Sequence, residues 1–304
     1  MPTFLVTGAT GRQGRATVDA LLARGAKVHA IVRDTTKAAA QELENLGVSL
    51  FKGDHDHPDT FHQAAQGCVG IFLNLIERPR NAEPDKQAEG ILAICKEAGV
   101  EHVVVSTAGW AESREKWDTP ENQAGGLIDY YEGEALVEDT VRRSGLKSYT
   151  IIRPFWFQSI YLPGPVMDWY YPEFRESGTL VHSFEPGVTL PHINVEDIGQ
   201  FVAMALLDPA KFAGEEIELA SENLSIEGVA EVIGKVVGKQ ITIVRAAVEE
   251  PGKPRNSAKW HTLANSVDLK VDAEGLAQRY AYRFTTLKEY LVKENERQGL
   301  QYFD

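Results

Sequence analysis

The sequence predicts an α/β fold: a doubly wound parallel sheet with a smaller α/β lobe attached. Three observations predict it. The apolar strand Thr3-Phe4-Leu5-Val6 opens the chain and runs directly into glycines at 8, 11 and 14, with a helical pattern after them. Strand-length apolar stretches then alternate with helix-length amphipathic ones as far as residue 155, the pattern of parallel strands joined by helical crossovers. Beyond Arg153 the periodicity weakens into a proline- and aromatic-rich segment, which marks the second lobe.

The elements follow in order. Val18, Leu21 and Leu22 share one face of the first helix, and Gly25 stops it. Residues 27–33 read as strand two, 37–46 as a helix closed by Gly47, and 48–53 as strand three. A helix over 59–67 precedes a near-continuous apolar strand, 68–75, of the kind buried on both faces. A helix over 86–98 ends at Gly99, strand five covers His102–Ser106, a helix over 134–144 ends at Gly145, and strand six covers 148–153. The segment 154–191 carries Trp156 and Trp169; a helix over Val195–Leu207 follows, and 215–220 returns a strand to the sheet. The predicted division is discontinuous: 1–155 with about 191–222 form a nucleotide-binding domain, and about 156–190 with 223–304 form a smaller substrate or partner lobe. Such a lobe would create a cleft, the usual place for a small-molecule site.

Composition narrows the function classes. Hydrophobic residues make up 43% of the 304 and charged residues 25%, as in a soluble globular protein. No stretch has transmembrane length and no signal-peptide core precedes the first strand, so a cytoplasmic protein is expected, or a nuclear one if it is regulatory. Cys68 and Cys95 sit in apolar patterns and read as buried free thiols. The net charge of -13 repels a phosphate backbone and argues against direct nucleic-acid binding. One dinucleotide remains compatible with it, because local cations act at short range.

The glycine run, G-x-x-G-x-x-G between a strand and a helix, is a pyrophosphate cradle. Glycine lets the backbone approach the phosphates, and the helix presents unpaired N–H groups and its positive end. Gly8, Thr10, Gly11, Arg12, Gln13 and Gly14 are its candidate residues. Strand two ends at Arg33, with Asp34 next. Arg33, helped by Arg12 and Lys37, would pair with a 2′-phosphate and favour NADP(H) over NAD(H); the alternative is a solvated turn with Asp34 as a helix N-cap. Asp54 and His55 after strand three, Asn74 and Leu75 at the end of strand four, and Ser106 and Thr107 after strand five lie along the expected cofactor path. Turn and cap roles compete for each, most strongly for Thr107 and His55.

These residues together resemble the NmrA-like family of atypical short-chain dehydrogenases, which have a Rossmann-type fold. The resemblance covers essentially the whole chain. It rests on 7–14, on Val32-Arg33-Asp34, on Lys52-Gly53-Asp54, on Tyr130-Tyr131-Glu132-Gly133-Glu134, on Arg153-Pro154-Phe155-Trp156-Phe157 and on 193–199. It implies an NAD(P) site that also uses Glu134, Pro154, Phe155 and Phe157. Some relatives reduce small aromatic substrates; others sense the cofactor and regulate partner proteins.

Standard members of the wider group pair a tyrosine with a lysine four residues on, which lowers the phenol's pKa. Here Glu134 follows Tyr130 by four, Ala135 follows Tyr131, and no lysine lies between Lys116 and Lys147. A carboxylate raises a neighbouring phenol's pKa, the opposite of what proton transfer needs. Tyr131, Tyr130 and His192 are the remaining catalytic candidates, His192 with a core role as its alternative. Trp110, Tyr131, Trp156 and His192 are expected to line a substrate pocket of flat apolar surface. Two readings stand: an NADP(H)-dependent reductase of a small hydrophobic or aromatic carbonyl or enone, and an inactive NADP(H) sensor acting through a protein partner. A non-redox isomerase or dehydratase is a third, and the protein is expected to be a monomer or dimer.

Overall fold

The computed structural model describes residues 1–75, 83–124, 127–246 and 257–302. Its main sheet has seven strands, in the order β10-β6-β5-β4-β1-β2-β3. These are β1 (Thr3–Val6), β2 (Lys27–Val32), β3 (Ser49–Lys52), β4 (Gly70–Asn74), β5 (His102–Ser106), β6 (Ser148–Pro154) and β10 (Glu215–Leu219). The pairs β1–β2, β2–β3, β1–β4, β4–β5 and β5–β6 are all parallel. The sheet is doubly wound, and the order reverses between β1 and β4, where open α/β sheets bind ligands at their carboxyl ends. β4 is buried along its whole length, because crossover helices cover both faces of a parallel sheet.

The chain divides into two compact units: residues 1–111, 131–153 and 195–218, and residues 112–130, 154–194 and 219–304. In the first, helix Arg12–Ala23 packs closely on helix Val195–Leu207. Glycine permits this: a Cβ on Gly199 would lie 2.4 Å from the Ala16 carbonyl carbon. One core cluster gathers Leu5, Ile71, Leu73, Val103, Val105 and Ile151 with helix residues Ile91, Leu92, Val137 and Val141. Cys68 and Cys95 are inside this cluster, both as free thiols, and burial pushes each to a pKa of about 12.

The second unit holds the short strands β7 (Trp156–Phe157), β8 (Thr179–His182), β9 (Leu190–Ile193), β11 (Glu222–Leu224) and β12 (Thr242–Arg245). They form a sheet of order β11-β9-β7 and the pair β12–β8. Helix Leu287–Gln298 packs on helix Ile226–Val237 and starts at a reciprocal cap between Thr286 and Glu289.

Three expected elements change. The helix expected from residue 134 begins at Ile128, so Tyr130, Tyr131 and Glu134 lie on the helix itself. The helix expected over 59–67 is split into a 3₁₀ turn, Pro58–Thr60, and a short α-helix, Phe61–Ala65. Pro58 opens the turn at its first position, where a missing amide costs no bond. Asp34 is not a helix N-cap: it accepts from the Thr36 amide at 2.9 Å and hydroxyl at 2.6 Å, and the helix starts later, at Ala38.

Candidate functional site

The glycine loop of the first unit is built from the backbone up. Gly8 has φ +61 and accepts from the Gly11 amide at 2.8 Å. A Cβ on Gly14 would lie 2.1 Å from the Gly8 carbonyl oxygen, so only glycine lets the helix start this close to the strand end. Helix Arg12–Ala23 opens at Gly11 with no side-chain cap and no acidic residue in its first turn. Such an N-terminus suits an anion. Thr7, which the sequence reading gave no role, fastens the switch point. Its hydroxyl donates to the Phe72 and Asn74 carbonyls at 3.2 and 3.1 Å and accepts the Asn74 amide at 2.7 Å.

Asn74 is buried beside this loop. A Cβ on Gly8 would touch its side chain at 3.7 Å, yet among the described residues its Oδ1 has no hydrogen-bond partner. A buried acceptor without a donor is costly, and a ligand donor entering the cradle would satisfy it. The glycines, the uncapped helix and the orphaned Asn74 oxygen together fit a dinucleotide.

The other predicted cofactor residues divide. Thr10, Arg12, Arg33 and Lys37 are exposed. Gln13 and Ser106 are buried against each other, the Ser106 hydroxyl donating to Gln13 Oε1 at 2.7 Å. Thr107 donates to Glu138 at 2.7 Å. Asp54 turns back on its own loop and accepts from the Asp56 and His57 amides at 3.0 Å and from His57 Nδ1 at 2.7 Å. His55 is half-buried near the Phe61 ring, and Leu75 is buried. In the second unit Pro154 is buried, while Phe155 and Phe157 are half-buried.

The catalytic candidates also separate. Tyr131 is 5% exposed and Glu134 4%. Burial, then the charges of Glu218 and Glu134, hold the Tyr131 phenol well above the usual tyrosine range. Tyr130 is 39% exposed and packs edge-on against Trp260. The expectation that His192 enters a cleft is corrected. It is fully buried in β9, with Nδ1 at 2.7 Å from the Leu190 carbonyl and Nε2 at 2.9 Å from the Tyr161 hydroxyl. Burial lowers its pKa to about 4, so at neutral pH the ring is neutral and does not act as an imidazolium acid.

A charged cluster in the first unit was not foreseen. Arg153, 5% exposed, donates to Glu138 at 2.8 and 2.7 Å, to Glu216 at 2.6 Å and to Glu218 at 3.2 Å. Trp110, in the loop after β5, has φ +61 and donates its amide to Glu218 at 2.9 Å. A left-handed backbone is strained for a tryptophan. Burial raises the Glu218 carboxyl to about 7, with Arg153 and the Trp110 amide opposing that rise. Within the second unit, Trp156 lies edge-on to Tyr170 and Trp260, at 5.3 and 6.3 Å between ring centres.

The sequence profile described as the NmrA-like family matches residues 2–273. The chain belongs to the NmrA-like family. Among curated NmrA-like proteins, an NmrA-like family domain-containing oxidoreductase of Penicillium ochrochloron is 27% identical over 251 residues. The match covers 77% of this chain and 73% of that one. The NADPH complex of the quinone oxidoreductase QOR2 of Escherichia coli superposes with a TM-score of 0.75 at 22% identity, over 96% of this chain and 99% of the other. NmrA, a negative transcriptional regulator, superposes at 20% identity over 99% and 98% of the two chains. Its TM-score is 0.75 for a structure with NADP and 0.74 for one with NAD. At these identities the NmrA-like likeness to solved structures establishes the fold.

Proposed function

We propose that this NmrA-like protein is an NADP(H)-dependent oxidoreductase that reduces a small, flat, hydrophobic or aromatic carbonyl or enone without a Tyr–Lys pair. The observation that carries it is the glycine cradle with the unpartnered Asn74 oxygen beside it. Gly8, Gly11, Gly14 and the first helix amides would hold the pyrophosphate. Arg33, Arg12 and Lys37, all exposed, would take a 2′-phosphate and set the preference for NADP(H). Bound there, the nicotinamide would supply a hydride. The relatives agree with this: QOR2 carries NADPH, and a curated family member is named an oxidoreductase. We assign residues 1–155 and about 191–222 to the cofactor, and the aromatic residues of the remainder to the acceptor. Trp110, whose amide meets Glu218, gives flat surface within the first unit. The protein works in the cytoplasm as a monomer or dimer.

The experiment is titration with NADPH, NADP, NADH and NAD by tryptophan quenching, followed by NADPH oxidation with a panel of quinones and enones. Tight NADPH binding with turnover of one acceptor supports the reading; no association with any of the four nucleotides overturns it. The sensor reading is favoured by one feature, the raised phenol of Tyr131 beside buried Glu134. NADPH binding with no turnover, and a protein partner held only in its presence, would select the sensor.

A further inference from the structure

Among the described residues, the charges gathered around Arg153 do not balance. Two guanidiniums, Arg142 and Arg153, serve three carboxylates: Glu138, Glu216 and Glu218. Half-exposed Asp139 lies at the rim, between Arg142 and Arg143. The contacts are shared unequally. Glu138 takes two short bonds from Arg153, one from Arg142 at 3.2 Å and the Thr107 hydroxyl. Glu216 takes Arg142 at 2.8 and 2.7 Å and Arg153 at 2.6 Å. Among the described residues, Glu218 takes the longest Arg153 contact, 3.2 Å, and the Trp110 amide at 2.9 Å. The least compensated carboxylate of such a group is the one that keeps a proton.

Glu218 also stands in a suitable place. It lies on β10, reaches the backbone of the loop after β5, and its charge acts on Tyr131. The charges of Arg153 from β6 and of Glu138 from helix Ile128–Arg143 act on it. It acts in turn on Tyr131 of that helix, and it shares Arg153 with Glu216 of its own strand. We propose that Glu218 is the catalytic acid of the reduction, giving the proton that a phenol without a neighbouring lysine does not release. The inference rests on the reductase reading above. With hydride supplied to the carbonyl carbon by a bound reduced nucleotide, the O–H bond of the Glu218 carboxyl would break and its proton would go to the carbonyl oxygen. The products are the alcohol and the oxidised nucleotide, and the Glu218 carboxylate regains a proton from water. A carboxyl titrating near 7 is poised for that exchange.

The test compares the wild-type protein with Glu218→Gln, whose amide oxygen still accepts from Trp110 and Arg153. NADPH oxidation with 9,10-phenanthrenequinone is followed across neutral pH. The expected result is a fall in kcat on the order of a hundredfold, with the KM for NADPH unchanged and the wild-type inflection near pH 7 lost. Thermal unfolding without cofactor is the second measurement. The folded-state pKa of Glu218 lies above its ordinary value of 4.5. Its contribution to stability is therefore complete below pH 4.5 and is lost as pH rises through about 7. The wild type should lose stability relative to Glu218→Gln over that interval. Equal kcat and pH profiles in the two proteins overturn the catalytic role while the reductase reading stands. A melting difference that ignores pH removes the proton from Glu218. A wild type that binds NADPH and reduces no acceptor fells the reductase reading and this inference with it.

Discussion

His192 shows what a single residue contributes when both ring nitrogens are spent inside the fold. Its pKa of about 4 lies below the ordinary 6.5, so the unfolded chain binds a proton that the folded chain refuses. Its stabilisation is complete above pH 6.5 and is lost as pH falls toward 4, up to about 3 kcal/mol. Urea unfolding of wild type and His192→Gln at pH 7 and pH 4.5 should show a steeper acid loss in the wild type. Equal losses would place the acid sensitivity elsewhere. Gly14 is the other decisive residue. In Gly14→Ala the new methyl meets a backbone carbonyl at 2.1 Å. A stability loss of about 1–3 kcal/mol and loss of NADPH quenching are expected, and an unaltered titration would show that the cradle does not hold the nucleotide.

At the scale of elements, the contact between helices Arg12–Ala23 and Val195–Leu207 aims the helix that opens the cradle. Gly199→Ala drives a methyl to 2.4 Å from Ala16 and should cost stability and weaken NADPH together. Gly25→Ala is the contrast: nothing lies within 4 Å, but φ is +76. It should cost about 1 kcal/mol with NADPH affinity unchanged. Equal effects on affinity from both variants would sink the idea that this packing sets the cradle.

Elements were legible where local pattern decides them. His102–Ser106 was read to the residue from its valine run, and the helix at roughly Val195–Leu207 from a strong helical stripe. The early start of helix Ile128–Arg143 was hidden because exposed Tyr130 and buried Tyr131 look alike in sequence. The β11-β9-β7 sheet was not read at all, since its strands of two to four residues gain order only from partners distant in the chain. The same limit applies to the site. The glycines announce themselves by spacing, but Glu138, Glu216 and Glu218 meet Arg153 only through tertiary pairing.

Over the whole molecule the net charge of -13 opposes an anionic nucleotide, so binding depends on cations near the glycine loop outweighing the distant field. Arg33→Ala should reduce NADPH affinity on the order of tenfold and leave NADH affinity unchanged. Fluorescence titration of both nucleotides checks this, and a parallel loss for NADH would assign Arg33 to a role other than reading the 2′-phosphate. The match of residues 2–273 to one family gives this pair of measurements a wider use, since NmrA itself is seen with both NAD and NADP.

The two core thiols make the native protein chemically quiet toward alkylation. At neutral pH almost no thiolate forms on Cys68 or Cys95, so a maleimide dye or Ellman's reagent should modify neither until the chain unfolds. A single cysteine engineered on the surface could then carry a fluorophore or spin label without first removing the natural pair.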